Sequence, residues 1–293
     1  MEVHLVDGTY ELFRHFFALP PHVTKQGEEV SATRGALGYL LSMLESGVTH
    51  LGVATDHVIE SFRNDMWHGY KSSAGVDPRL LAQFPLLEEG MTLLGIVNWP
   101  MVELEADDAM AGAAAFAEQV SEVERVLICS PDKDLGQCVQ GVRVVQVPDR
   151  RTGTWRDEAG VIERFGVPPA SIPDYLALVG DSSDGYPGLP GFGARSTASL
   201  LAEFGHLEAI PADSKVWPPA IRGSARLSLT LQEGRELALL FRDLATLRTH
   251  EPQLASIEEL RWLGPTSGFV DFSERLEAPQ LVERAQALAR RGL

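Results

Sequence analysis

The chain has 293 residues, 44% of them hydrophobic and 23% charged, which is enough to bury a sizeable core in one large or two modest domains. Its formal charge of −16 excludes a generally basic coat, so any phosphate-binding surface must be local and its binding sensitive to salt. No apolar run approaches a membrane span, and Met1-Glu2-Val3-His4 lacks the basic and apolar regions of a signal peptide, so a cytoplasmic protein without a membrane partner is expected.

Val3-His4-Leu5-Val6 is a short apolar run that stops at Asp7-Gly8, the pattern of a buried strand closed by a turn. Leu51-Gly52-Val53-Ala54-Thr55 repeats it and ends at Asp56, and Arg125-Val126-Leu127-Ile128-Cys129-Ser130 runs into Pro131-Asp132-Lys133-Asp134. Helical stretches separate these strands, at Ala32 to Leu44, Leu80 to Leu94 and 105 to 118, and Val142 to Val147 supplies one more strand. Strands alternating with helices predict an α/β fold with a twisted, mostly parallel central sheet flanked by helices. Ligands of such a sheet sit beyond the carboxyl ends of its strands, where Asp7, Asp56, Asp132 and Asp134 are expected to converge. One acid at a strand end is ordinarily a turn former; its recurrence at successive strand ends argues for a site.

Glu105-Ala106-Asp107-Asp108 crowds carboxylates into the first turn of an alanine-rich helix. The helix macrodipole favours acids there, which is the bland reading. Like charges held so close also call for a proton or a cation, which is the sharper one. Between the second and third strands, Ser61-Phe62-Arg63-Asn64-Asp65-Met66-Trp67-His68-Gly69-Tyr70-Lys71 mixes cations with aromatics, and beside an acidic cluster Arg63 and Lys71 are the groups available to hold a phosphate.

From Ile172 the pattern turns helical. Gly180-Asp181-Ser182-Ser183-Asp184-Gly185 adds two acids, and Pro187-Gly188-Leu189-Pro190-Gly191-Phe192-Gly193 opens a helix at Ala194. Glycines before a helix N-terminus let backbone N–H groups approach an anion, and Arg195 and Thr197 in the first turn suit a phosphate. A dinucleotide fingerprint is excluded by the missing third glycine and the absence of a preceding strand. Leu229 to Arg248 reads as one long amphipathic helix, and residues 264 to 293 hold a final helix with no legible function. Cys129 and Cys138 form no metal-binding spacing and are expected to be reduced thiols.

Taken in order, Leu5-Val6-Asp7-Gly8 with Arg14; Asp56 with Ser61-Phe62-Arg63 and Gly69-Tyr70-Lys71; Glu105-Ala106-Asp107-Asp108; Asp132-Lys133-Asp134-Leu135 with Gln137; and Gly180-Asp181 with Asp184, Pro187-Gly188, Gly191 and Gly193 resemble the 5′-nuclease superfamily. That superfamily comprises the flap endonucleases and the 5′-3′ exonuclease domain of bacterial DNA polymerase I. The resemblance covers residues 3 to 250, and the end of the chain at Leu293 makes a free-standing bacterial member without a fused polymerase the expectation.

The resemblance implies a PIN-like 5′-nuclease core over residues 1–170 and a helical region over 171–293, with a helix-three-turn-helix motif at 173–205 that grips duplex DNA. It implies two Mg²⁺ ions, with Mn²⁺ as a substitute. By position Asp7, Asp56, Glu105, Asp107 and Asp132 match one metal site, and Asp134, Asp181 and Asp184 the other. Asp108 joins these acids, although distant relatives have none at its position. Lys71 and Arg63 take the catalytic positions beside the phosphate; Gly188, Gly191, Gly193, Arg195, Thr197 and Arg14 are the DNA-binding set, with K⁺ at the glycine turn.

The implied activity is hydrolysis of branched or 5′-ended DNA by a monomer, in replication or repair. Three positions depart from the family pattern: Ala74 stands where relatives carry Arg, with Arg79 nearby; Arg34 replaces an aromatic; and Gly185 replaces Asn. The alternative these departures raise is a catalytically weak DNA-structure-binding protein of the same fold.

Overall fold

A computed structural model describes residues 1–149, 152–250 and 253–291. In chain order the elements are β1 (Glu2–Asp7), α1 (Gly8–Ala18), α2 (Ser31–Glu45), β2 (His50–Asp56), α3 (Phe62–Met66), α4 (Pro78–Leu81), α5 (Gln83–Leu94), β3 (Val97–Met101), α6 (Ala106–Glu118) and β4 (Arg125–Cys129). There follow β5 (Val144–Asp149), β6 (Thr154–Arg156), α7 (Glu158–Phe165), α8 (Ile172–Val179), α9 (Ala194–Phe204), α10 (Ser224–Glu233), α11 (Arg235–Ala245), α12 (Phe269–Arg275) and α13 (Pro279–Arg291). The chain divides into two compact units, residues 1–59, 73–130 and 249–293 in the first and residues 60–72 and 131–248 in the second.

The first unit is built on four parallel strands in the order β3-β2-β1-β4. Every residue of β2 is buried, as a parallel strand covered on both faces requires. α6 packs against these strands, and its Ala109, Ala113 and Ala117 are each at most 1% exposed. Val6 and Val53 belong to a core shared with α1, α2 and α5. Phe269, Phe272, Leu281, Ala285 and Leu288 of α12 and α13 complete that core, which gives the C-terminal helices a packing role the sequence did not disclose. β3 was missed in the sequence because Asn98 and Pro100 interrupt its apolar run. Paired only with β2 within this unit's strand set, it tolerates a residue that donates no hydrogen bond.

The second unit holds the antiparallel pair β5 and β6 and the helices α3 and α7 to α11. Its core gathers Leu176 and Leu178 of α8 and Phe241 and Leu244 of α11, with Tyr186 from the connection between α8 and α9. α8 and α9, joined by residues 180–193, lie where the helix-turn-helix was expected. The single helix expected from Leu229 to Arg248 is instead two, α10 and α11, broken at Gly234. A Cβ at that position would lie 2.9 Å from Leu189 Cδ2 and 3.0 Å from the Thr230 carbonyl, so the close approach of the chain selects glycine and glycine ends the helix. Together these elements meet the α/β expectation, with a mostly parallel strand set and a helical C-terminal portion.

Candidate metal centre

In the first unit the acids stand where the sheet ends. Asp7 closes β1 opposite Ala54 in the parallel register, so Asp56 lies two residues farther along the neighbouring strand. Asp7 is also the N-cap of α1: its Oδ1 accepts from the Tyr10 N–H at 2.7 Å and its Oδ2 from the Ser130 hydroxyl at 2.8 Å. Asp56 accepts from the Ala106 N–H at 2.7 Å, which ties the start of α6 to the end of β2. Glu105 is the N-cap of α6 and is 4% exposed, while Asp108, 1% exposed, accepts from the Glu105 N–H at 3.0 Å in a capping box. Both readings of this acidic turn therefore have substance, because Asp108 caps the helix while Asp56, Glu105 and the half-buried Asp107 gather at its N-terminus.

Among the acids of the second unit, Asp181 accepts from the Ser183 N–H at 2.9 Å. Asp134, Asp181 and Asp184 are all buried and each offers a carboxylate oxygen within 4.8 Å of the others, the one such acidic group among the described residues. Lys133 Nζ lies 2.7 Å from Asp181 Oδ2, and Lys71 Nζ lies 3.6 Å from Asp184 Oδ1. Asp132, half-buried, accepts from the Asp134 N–H at 3.0 Å. Burial, reinforced by Asp132, Asp184 and Asp181, pushes the Asp134 carboxyl well above the usual carboxylate range, and burial raises Asp132 as well, against the pull of the Asp134 N–H. Burial works against the charge on Lys133, but Asp181, Asp134 and Asp132 outweigh it and hold the ammonium charged.

Asp134 Oδ1 is buried without a hydrogen-bond partner among the described residues. A crowded carboxylate group with an unsatisfied oxygen and only oxygen donors fits a hard divalent cation of the magnesium, manganese or calcium kind. The chemistry of the donor set and the orphaned oxygen agree on this point.

The remaining expected site residues divide. Lys71 stands beside the acids, as its salt bridge with Asp184 shows. Arg63 does not offer its charge to solvent: it is 1% exposed, its Nε donates to the Leu244 carbonyl at 2.8 Å and its Nη2 to the Thr246 carbonyl at 3.2 Å. The phosphate ligand expected at Arg63 is thus corrected to a buried strut tying α3 to the end of α11, because its guanidinium satisfies carbonyls that α11 leaves unpaired. Gly191, Gly193 and Arg195 are exposed at the start of α9. Thr197 is fully buried and Gly188 is buried, which corrects both as surface contacts; packing takes them instead. Arg14 sits on α1, 3.6 Å from Glu11.

The structure accounts for one departure from the family pattern. Gly185 has φ +83°, and a Cβ there would fall 2.0 Å from the Gly69 carbonyl oxygen, so the loop of Asp181 and Asp184 and the loop of Lys71 can approach only through glycine. Arg79 is engaged by Asp77 at 2.6 Å. Ser130 and Lys133 were not singled out as site residues in the sequence. Lys133 had a signal, a cation flanked on both sides by acids; Ser130 had none, since its role depends on where β4 ends relative to β1.

Comparisons with known proteins agree with this geometry. The profile described as 5′-3′ exonuclease, N-terminal resolvase-like domain, matches residues 2–166, and that described as 5′-3′ exonuclease, C-terminal SAM fold, matches residues 167–267. A 5′-3′ exonuclease of Aquifex aeolicus is 37% identical over 215 residues, covering 71% of this chain and 71% of that protein. DNA polymerase I of Bacillus caldotenax is 33% identical over 294 residues, 95% of this chain but 33% of the polymerase, so the chain spans a third of that relative's length. Among solved structures, a bacteriophage T5 D15 flap endonuclease in a pseudo-enzyme-product complex with DNA and metal ions shares the fold, with a TM-score of 0.63 over 99% of this chain and 98% of that one at 19% identity. With profiles over both of its parts and a relative of similar extent, the chain belongs to the 5′-3′ exonuclease family.

Proposed function

We propose that the protein is a structure-selective 5′-nuclease, a 5′-3′ exonuclease and flap endonuclease that hydrolyses DNA phosphodiesters with two Mg²⁺ ions, Mn²⁺ serving as a substitute. The observation that carries this reading is the buried trio of Asp134, Asp181 and Asp184 with an unpartnered carboxylate oxygen, in a chain of the 5′-3′ exonuclease family. The T5 relative bound to DNA and metal ions supports it.

In this proposal Asp134, Asp181 and Asp184 would hold one ion and Asp7, Asp56, Glu105, Asp107 and Asp132 would serve the other, with Asp108 as a further acid. Held by these acids, the ions would supply the positive charge that lowers the pKa of an attacking water and offsets the negative charge of an in-line displacement. Lys71 adds a fixed cation for the scissile phosphate, positioned by its contact with Asp184. Lys133 neutralises Asp181 and so limits the repulsion the cluster carries before a cation arrives.

The backbone N–H groups of the exposed Gly191 to Gly193 turn, with Arg195, take a DNA phosphate, and a K⁺ ion at that turn is part of the proposal. The boundary at residue 170 is proposed to separate the catalytic core from the part that grips the duplex. A monomer acting on branched or 5′-ended DNA in cytoplasmic replication or repair completes the reading; among the described residues no helix is long and apolar enough to cross a membrane.

The test is cleavage of a 5′-labelled flap in Mg²⁺ by the full chain and by Asp132→Asn. Release of 5′ fragments on the order of 10²-fold faster by the parent is expected. Equal rates would sink the proposal, and flap binding in Ca²⁺ with no turnover in Mg²⁺ or Mn²⁺ would leave the weak binder in its place.

A further inference from the structure

Tyr186 follows the second acid of the Gly180-Asp181 loop by two residues. It forms an antiparallel bridge with Asp181: the Asp181 N–H donates to the Tyr186 carbonyl at 2.8 Å and the Tyr186 N–H to the Asp181 carbonyl at 3.0 Å. Residues paired in this way project their side chains from the same face, so the Tyr186 ring and the Asp181 carboxylate leave the loop together. The ring stacks on Phe241, with centroids 5.4 Å apart and planes 28° from parallel, and the residue is 1% exposed. Packing therefore holds the phenol in one place.

Its hydroxyl is buried with no hydrogen-bond partner among the described residues, the same condition as Asp134 Oδ1 in the same acidic group. A buried hydroxyl without a partner is costly, and two orphaned polar atoms at one site point to a polar occupant that satisfies both. The charges of Asp134, Asp184, Asp181 and Asp132 all bear on the phenol, which places it beside the acidic group.

We propose that Tyr186 is a positioning residue of this metal centre, its hydroxyl hydrogen-bonding to the hydration shell of a cation held by Asp134, Asp181 and Asp184. The inference rests on the nuclease reading and deepens it. A hydroxyl both donates and accepts, so it can orient a water held by the cation while a carboxylate alone can only accept. No bond to the metal from the phenol is involved, and no proton is transferred. Its contribution is orientation.

The experiment uses the full chain with Tyr186→Phe, which removes one oxygen and keeps the ring on Phe241. Mn²⁺ affinity is read by electron paramagnetic resonance titration and unfolding is followed in EDTA. The expected result is Mn²⁺ binding weakened about tenfold with the metal-free unfolding midpoint unchanged or raised. Phe241→Leu is the packing control, expected to lower the midpoint while leaving Mn²⁺ affinity near that of the parent.

Mn²⁺ affinity of Tyr186→Phe within about twofold of the parent overturns the proposal. So does an equal loss of affinity in Phe241→Leu, which would assign the effect to packing. A parent that binds no Mn²⁺ at all would instead overturn the nuclease reading beneath it, so the two failures are distinguishable.

Discussion

Asp56 and Asp134 are both buried aspartates contributed by the carboxyl ends of strands or by the loops just after them, yet their surroundings differ. Asp56 accepts from the Ala106 N–H at the start of α6, and its neighbours Asp7 and Asp108 likewise accept from helix N-terminal N–H groups. Asp134 has an oxygen with no donor, sits against Asp181 and Asp184, and is pushed up in pKa by burial and by those charges. The first unit stabilises its acids as part of the fold, through caps that the helices need in any case. In the second unit Asp132 and Asp181 also accept backbone N–H groups, but Asp134 keeps an oxygen without a donor among like charges, with Lys133 and Lys71 as partial relief. A carboxylate's residue type and its place near a strand end therefore say little about its energetic state; the supply of donors decides it.

The sharpest way to break this comparison is to withhold the cation that the second unit's acids are proposed to bind. Metal removal with EDTA, or Asp181→Ala, is expected to reduce flap cleavage on the order of 10³-fold, the several kcal/mol a bound cation contributes to a phosphoryl transition state. Residual cleavage above one tenth of the parent in EDTA would show that the acids do not work through a cation.

Next come the two basic residues of the second unit's first segment. Arg63→Ala is expected to destabilise the protein by ~3 kcal/mol, since it leaves the Leu244 and Thr246 carbonyls without their donors and opens a buried space. Lys71→Ala is expected to lower the cleavage rate on the order of 10²-fold while changing stability by less than ~1 kcal/mol. Chemical denaturation and single-turnover kinetics on both variants separate the strut from the phosphate group, and an exchange of the two effects would reverse the assignment.

Smaller effects of opposite sign test the two kinds of acid directly. In EDTA at pH 8, Asp134→Asn is expected to raise stability by ~1 kcal/mol by removing a carboxyl whose charged form burial and the neighbouring acids disfavour. Asp56→Ala is expected to lower it by ~1 kcal/mol through the lost acceptor at the start of α6. Thermal unfolding of the two variants checks the pair, and a shared sign would erase the distinction between the units.

The smallest effect is the pH dependence of the first of these. The Asp134 carboxyl is raised in the folded state above its ordinary 3.8, so the fold prefers it neutral and loses stability as the pH rises from that value through the folded one. The gain from Asp134→Asn is therefore expected at pH 8 and should fade as the pH falls toward 4. A gain independent of pH would mean that the charge is not its origin.

Much of this was legible in the chain. The runs at Val3 to Val6, Leu51 to Thr55 and Arg125 to Cys129 announce buried parallel strands, because a strand covered on both faces must be apolar throughout. The alanine-rich stretch after Glu105 announces α6, and the order of the acidic motifs announces the family. β3 stayed hidden because an edge strand carries weaker apolar demands and admits Pro100. The break at Gly234 stayed hidden because helical periodicity continues through it. Arg63 and Thr197 were misread for one reason: a motif fixes a residue's type and spacing, not whether its side chain turns outward or inward.

The amino-acid order by itself determined most of the strand and helix pattern, the family and the order of its acidic motifs, since periodicity, breakers and motif spacing are local properties of the chain. Tertiary structure alone decided that Asp134 keeps an oxygen without a donor among the described residues and that Arg63 is a strut. It also decided that the C-terminal helices close the first unit's core and that Tyr186 shares a face with Asp181. Those outcomes depend on atoms brought together from distant positions, such as Ala106 against Asp56 and Leu244 against Arg63, and no local pattern records such meetings.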